Sequence, residues 1–353
     1  MALEFIWQLP ARGDARYADA ANRLRGERRS GEVAFQPGVS DPRGVAFNYF
    51  DYLHQVARGA ELSGFDGVRI QHDSAGDESW IIAGYVARAT RSLKLIAEFE
   101  ASWGSAVYAA KNAVSFQRYT QGRLAWQVSA GAGEAERSRY ADPVPDADVL
   151  ARIEEFLGVA RGVITNAPFS FKGRFFEVSE GGFRGSLANH PTPEVYLAGE
   201  SEDALDASAR HADVHVLEAR APNELGPTIQ ALRALSSQHA LLRRSTPLAL
   251  GLRLDVLARE TRDEARFDAT RYAEQRGQAQ SAEPKLLWPS LTSGARATLV
   301  GSYDDVIEAL VGYSALGISR FLLSGVPHLE EAYRLGTYVL PVLRRRLANQ
   351  AAA

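Results

Sequence analysis

The run "LALGLRLDVLA" (248–258) is aliphatic except for two charges, Arg253 and Asp255. Side chains alternate across an extended strand, so Gly251, Arg253 and Asp255 share one face while Leu250, Leu252, Leu254 and Val256 share the other. Charges on a buried face are costly unless they are paired or work at an opening. There, Arg253 would orient a polar or anionic group, and Asp255 would act as a general base or hold a cation. The plainer role is an ion-pair network; function ranks ahead of it because the leucine face must pack under helices. His72, directly after "GVRIQ" (67–71), is a candidate proton carrier, although a scaffold hydrogen bond is the simpler role for a lone loop histidine. Glu98 and Glu100 flank Phe99 and point the same way, either as a like-charge pair of raised pKa or, more plainly, as partners for Arg253. In "AGESEDAL" (198–205) a strand hands over to a helix through Gly199, Glu200, Ser201 and Glu202, with Ser201 as N-cap. Amides at such a helix start attract phosphate, and the two glutamates oppose it. In "SGVPHLEEAYRLG" (324–336), Glu330 and Glu331 suit the macrodipole of a first helical turn. Tyr333, one turn on, either reaches the active-site mouth or packs, and His328 has no assigned role.

Short apolar runs near 3, 67, 94, 123, 194, 214, 248 and 321 read as eight strands, each followed by at least one helix. Helices are expected over about 78–88, 105–119, 147–164, 201–211, 223–239, 261–277 and 329–347, and a small hairpin over 169–178. Eight βα units in 353 residues predict a (β/α)8 TIM barrel with insertions rather than a doubly wound sheet, whose Gly-rich first turn is missing from "QLPARGD". The chain is expected to be one domain, with an Arg- and Gly-rich arm near 22–46 and a shortened lid near 276–298. Catalytic groups in such a barrel belong at the C-terminal strand ends.

Hydrophobic residues make up 46% of the chain, charged residues 24%, and the net charge is −3, a balance that gives no support to nucleic-acid binding. No cysteine is present, which excludes disulfides, thiolate metal sites and cysteine nucleophiles. No metal site is expected. Neither a secretory signal nor a bilayer-length apolar run is read, so a cytoplasmic enzyme is expected.

Together, "ALGISRFLLSGVPHLEEAYRLG", "FIWQLPARGDARY", "DESWIIAG", "AAKNAVSFQRYTQGR", "GLRLDVLARETRDEA" and "ATLVGSYDDV" resemble the alkanesulfonate monooxygenases within the bacterial-luciferase-like flavin enzymes. The resemblance is collinear over nearly the whole length. It implies a barrel that takes reduced FMN from a separate NAD(P)H-dependent flavin reductase and reacts with O2 through a flavin peroxide to oxygenate a small organic substrate. A deazaflavin is the less favoured cofactor. A homo-oligomer, dimer or tetramer, is also implied. By the same resemblance Arg253 and Tyr333 carry the family's arginine and tyrosine, and Gln127, Ser129 and the turn Gly199–Glu202 would hold FMN.

The pattern departs elsewhere. Asp255 stands where the family has histidine, Gly76 where it has cysteine, and Glu200 where a small neutral residue is usual. Arg12 lies near an expected histidine, Leu150 replaces a tyrosine, and Thr292 falls at the lid arginine with Arg296 close by. The added negative charge points away from a simple alkanesulfonate. The alternative function is a barrel without flavin chemistry, acting as a non-catalytic subunit or binding protein.

Overall fold

The computed structural model describes residues 3–11, 49–74, 76–101, 104–131, 133–240, 247–275, 286–291 and 297–352. In chain order it comprises β1 (Glu4–Leu9), α1 (Tyr49–Leu62), β2 (Gly67–Ile70), α2 (Ser79–Ala89), β3 (Lys94–Glu100), α3 (Ala106–Thr120) and β4 (Leu124–Ser129). Next come α4 (Glu134–Arg139), α5 (Val149–Thr165), β5 (Phe169–Lys172), β6 (Glu177–Gly181), β7 (Glu194–Ala198), α6 (Glu202–His211), β8 (Val214–Glu218) and α7 (Pro222–Gln238). The chain continues through β9 (Ala249–Arg259), α8 (Arg262–Gln275), β10 (Leu287–Pro289), β11 (Ala297–Ser302), α9 (Tyr303–Ala315), β12 (Ile318–Ser324), α10 (His328–Tyr338) and α11 (Leu340–Ala352).

Strands β1, β2, β3, β4, β7, β8, β9 and β12 pair in parallel, and β9 meets both β8 and β12, so the sheet closes. All eight expected strands are in the wall, and the fold is a TIM barrel with insertions. Strand β9 runs past the rim. Its last residues, Asp255 to Arg259, pair with β11, which pairs antiparallel with β10. Over β10, β11 and α9 the sequence reading placed no strand or helix, only the shortened lid near 276–298, where β10 and the start of β11 lie. The insertion β5–β6 is an antiparallel pair. Its tip is tied to α5 by Glu155, whose carboxylate accepts from the backbone N–H groups of Arg174, Phe175 and Phe176.

One difference from expectation lies at the C-terminus. A single helix over 329–347 is replaced by α10 and α11, because Pro341 has no N–H to continue the ladder and its ring crowds the carbonyl one turn back. The main core lies between strands and helices. A second cluster, Ile6, Ile96, Ala125, Tyr196, Val214, Val216, Ala249 and Leu322, fills the barrel itself. Below it, at the N-terminal strand ends, Lys94 bridges Glu4 and Glu194 at 2.5 Å each, and Arg320 reaches Glu4 at 3.2 Å.

Candidate active site at the C-terminal mouth of the barrel

Above the apolar plug the inward positions become polar. Arg69, on β2, is fully buried. Its Nε donates to Gln127 Oε1 at 2.6 Å, one terminal nitrogen to Gln8 Oε1 at 2.6 Å, and the other to Glu98 Oε2 at 2.7 Å. Gln127 Nε2 in turn donates to Glu98 Oε1 at 3.0 Å. Four strands thus contribute one polar side chain each, and every charge is met. Burial lowers the Arg69 pKa from its ordinary value, Glu98 opposes that shift, and the nearby Arg253 adds to it.

Arg253 lies beside this cluster on β9. Its partner is Glu218, its register neighbour at the end of β8. The sequence expectation that Glu98 or Glu100 would pair with Arg253 is therefore corrected: Glu98 belongs to Arg69. The Arg253 side chain is 25% exposed, which leaves it accessible from the mouth. Asp255, two residues on, keeps the inward face but is fully buried, with Ser290 Oγ 3.5 Å from Oδ2.

His72 follows β2. Its backbone N–H donates to Glu98 Oε2 at 3.0 Å, and its ring Nε2 lies 3.5 Å from Glu100 Oε1. Glu100 is buried beneath Gly131, where φ is +78° and a Cβ would come within 2.5 Å of the carboxylate. Ser79 Oγ donates to the Glu98 carbonyl at 2.6 Å, which seats the start of α2 over the same strand end. Arg69, Glu98, Gln127, Glu218, Arg253, Asp255, His72 and Glu100 thus gather at one end of the barrel.

The turn after β7 stands nearby. Gly199 has φ +138°, and a Cβ there would meet Ala204 Cβ at 2.7 Å, so only glycine lets the chain enter α6 directly. Ser201 caps α6 by accepting from the Ala204 N–H at 3.2 Å. Glu202 is in the exposed first turn, and Glu200 forms an ion pair with Arg220. The pair offsets the charge of Glu200, and the first-turn amides beside Ser201 are what would hold a flavin phosphate against the remaining Glu202 and Asp203. Ser129 Oγ accepts from the Gly131 N–H at 3.1 Å at the end of β4. Gln127 has both ends of its amide engaged and forms floor rather than wall.

Tyr333 is not brought to the mouth. It sits on α10, 44% exposed, with its ring beside Gly59 of α1. The stripe of α10 that faces the barrel is His328, Glu331, Ala332 and Leu335. His328 packs edge-on to Trp7, and its carbonyl accepts from the Trp7 indole. Glu331 is buried rather than solvated at a helix start: Arg259 and Arg334 bind it at 3.1 and 2.5 Å. Burial raises its pKa, and the two arginines oppose the shift. Gly76 is exposed beside Asp73, and Leu150 is half-buried at the start of α5. Arg12, Thr292, Arg296, the 22–46 arm and most of the 276–298 segment lie outside the described residues.

A cavity of about 800 Å³ opens at the opposite, N-terminal face, lined by Leu3, Leu232, Arg233, Leu250, Ile318 and Ser319 among others. Its lining has no carboxylate or imidazole. Volume alone does not mark the chemistry; convergent titratable groups do.

Residues 20–320 match the family model of luciferase-like monooxygenases. The chain belongs to that family. It is a flavin-dependent monooxygenase, and the reading as a barrel without chemistry is set aside. Among solved structures, a riboflavin lyase with modified FMN and riboflavin is 16% identical, with 98% of this chain and 92% of that one covered and a TM-score of 0.75. A long-chain alkane monooxygenase is 15% identical, with 98% and 92% covered and a TM-score of 0.74. EDTA monooxygenase from Chelativorans sp. BNC1 is 15% identical, with 98% and 94% covered and a TM-score of 0.73. At these identities the likeness establishes the fold. Among the described residues no helix is long and apolar enough to cross a membrane.

Proposed function

We propose that this luciferase-like enzyme is the oxygenase of a two-component system in the cytoplasm, taking reduced FMN from an NAD(P)H-dependent reductase and oxygenating a small organic substrate that is not a simple alkanesulfonate. The observation that carries this reading is the self-neutralised floor at the C-terminal mouth: Arg69 is matched by Glu98 and Arg253 by Glu218. A sulfonate needs an unmatched cation, and this floor offers none.

The first-turn amides of α6, with Ser201, would hold the FMN phosphate, and Ser129 would lie along the ring system. When bound, reduced FMN supplies the activation of O2. The chain's residues bind and orient: Arg253 donates hydrogen bonds to the substrate, and Asp255 keeps a carboxylate on the same inward face. His72 moves a proton at Nε2, which lies 3.5 Å from Glu100 Oε1. The packed floor excludes water from below.

Anaerobic titration with reduced FMN tests the reading through quenching of protein fluorescence. Saturable binding is expected, and its absence up to millimolar concentration overturns the proposal. Deazaflavin binding in place of FMN would also overturn it, because a 5-deazaflavin transfers hydride and does not activate O2.

A further inference from the structure

We propose that Glu218 is a specificity-determining residue: by holding Arg253 in an ion pair it withholds the accessible cation of the mouth from anionic groups and reserves the site for uncharged substrates. This rests on the reading that substrate lies above the floor formed by Arg69 and Arg253.

The two guanidinium groups of that floor are held differently. Arg69 is buried and spends its nitrogens on Gln127, Gln8 and Glu98. Glu98 is equally committed, accepting from Arg69, Gln127 and the His72 backbone. Neither can turn toward a ligand without breaking several bonds at once.

Arg253 and Glu218 are neighbours across β8 and β9 and share the inward face, as Val216 and Gly251 do one step below. They meet through Nη2 and Oε1. Arg253 Nε and Glu218 Oε2 are buried and make no hydrogen bond among the described residues. The pair is therefore neutral in charge but unsaturated in hydrogen bonds. A neutral head group with both a donor and an acceptor, such as an alcohol, can use that spare capacity. An anion gains nothing from Arg253 unless Glu218 is displaced, and it then faces the displaced carboxylate. Removing the Glu218 charge shifts the balance, because Arg253 would then lose its partner while Glu98 stays committed to Arg69.

The test compares two ligands of one chain length, 1-octanol and 1-octanesulfonate, by calorimetry on the flavin-free full chain. Wild type is expected to favour the alcohol. Glu218→Gln should shift the affinity ratio toward the sulfonate by about ten-fold or more, the worth of one charge-assisted hydrogen bond. Glu218→Asp, which keeps the charge but draws it back from Arg253, should shift the ratio part of the way, and it serves if the glutamine variant does not fold. Adding Arg253→Gln to Glu218→Gln should abolish the gain. A merely structural Glu218 would lower the unfolding temperature without moving the ratio. An unmoved ratio in the folded variants, a gain that survives loss of Arg253, or a wild-type preference for the sulfonate would each overturn the proposal. Failure of wild type to bind reduced FMN would instead overturn the proposed function, since the head-group comparison needs no flavin.

Discussion

Both ends of the barrel interior carry charges, and they are built differently. At the N-terminal end Glu4, Lys94, Glu194 and Arg320 interlock, with Lys94 shared by two carboxylates. At the C-terminal end one arginine, Arg69, is locked in the same way, while its neighbour Arg253 has Glu218 as partner, leaves its Nε without a hydrogen bond among the described residues and is partly exposed. Charge inside a barrel is thus no sign of a site by itself. The sign is charge with hydrogen-bonding capacity left over, beside imidazole and carboxylate groups at the end where the strands feed into loops.

Breaking the locked part of the upper floor should have the largest effect. Arg69→Met strands Glu98 without its cation and should cost about 3–5 kcal/mol of stability, read by chemical denaturation. Acid probes a different buried polar group. His215, on the outward face of β8, bonds to Ser208 Oγ at 2.8 Å, and burial holds its pKa down to about 4 against a small opposing effect of Glu200. The unfolded chain takes up that proton near pH 6.5 and the fold only near 4, so stability is full above pH 6.5 and falls on acidification through this window. The loss should be about 1.4 kcal/mol per pH unit, and His215→Gln should remove it from the pH dependence of unfolding. Lys94→Met at the lower end should cost only about 1 kcal/mol, because Arg320 still serves Glu4 and the group is partly solvated. Equal losses for Lys94→Met and Arg69→Met would erase the contrast between the two ends. Tyr333→Phe should change kcat/KM by less than about two-fold, as befits a half-exposed side chain away from the mouth; a large drop would place α10 in the chemistry.

The barrel was legible because its strands are short apolar runs with turn residues at their ends, and eight such runs admit few folds. The inward face of β9 was legible too, since alternation separates Arg253 and Asp255 from the leucines. Arg69 was missed. It is one charged residue in a four-residue strand, and its meaning comes from Gln8, Glu98 and Gln127 on three other strands, pairings that no local pattern encodes. Glu218 escaped notice as a partner for the same reason. Tyr333 was left by its helical position as either reaching the mouth or packing, and resemblance favoured the mouth. Whether a residue five positions into a helix faces the mouth depends on how that helix is rotated about its axis, and here Ala332 and Leu335 turn inward while Tyr333 turns out.

The central claim is that the chemistry sits at the mouth formed by His72, Arg253 and the turn before α6, and not in the cavity at the other face. Diffraction from crystals soaked with FMN tests it most directly. The account predicts ring density over the C-terminal strand ends with the phosphate at Ser201. Density lodged instead between Leu232, Leu250 and Ile318 would contradict it.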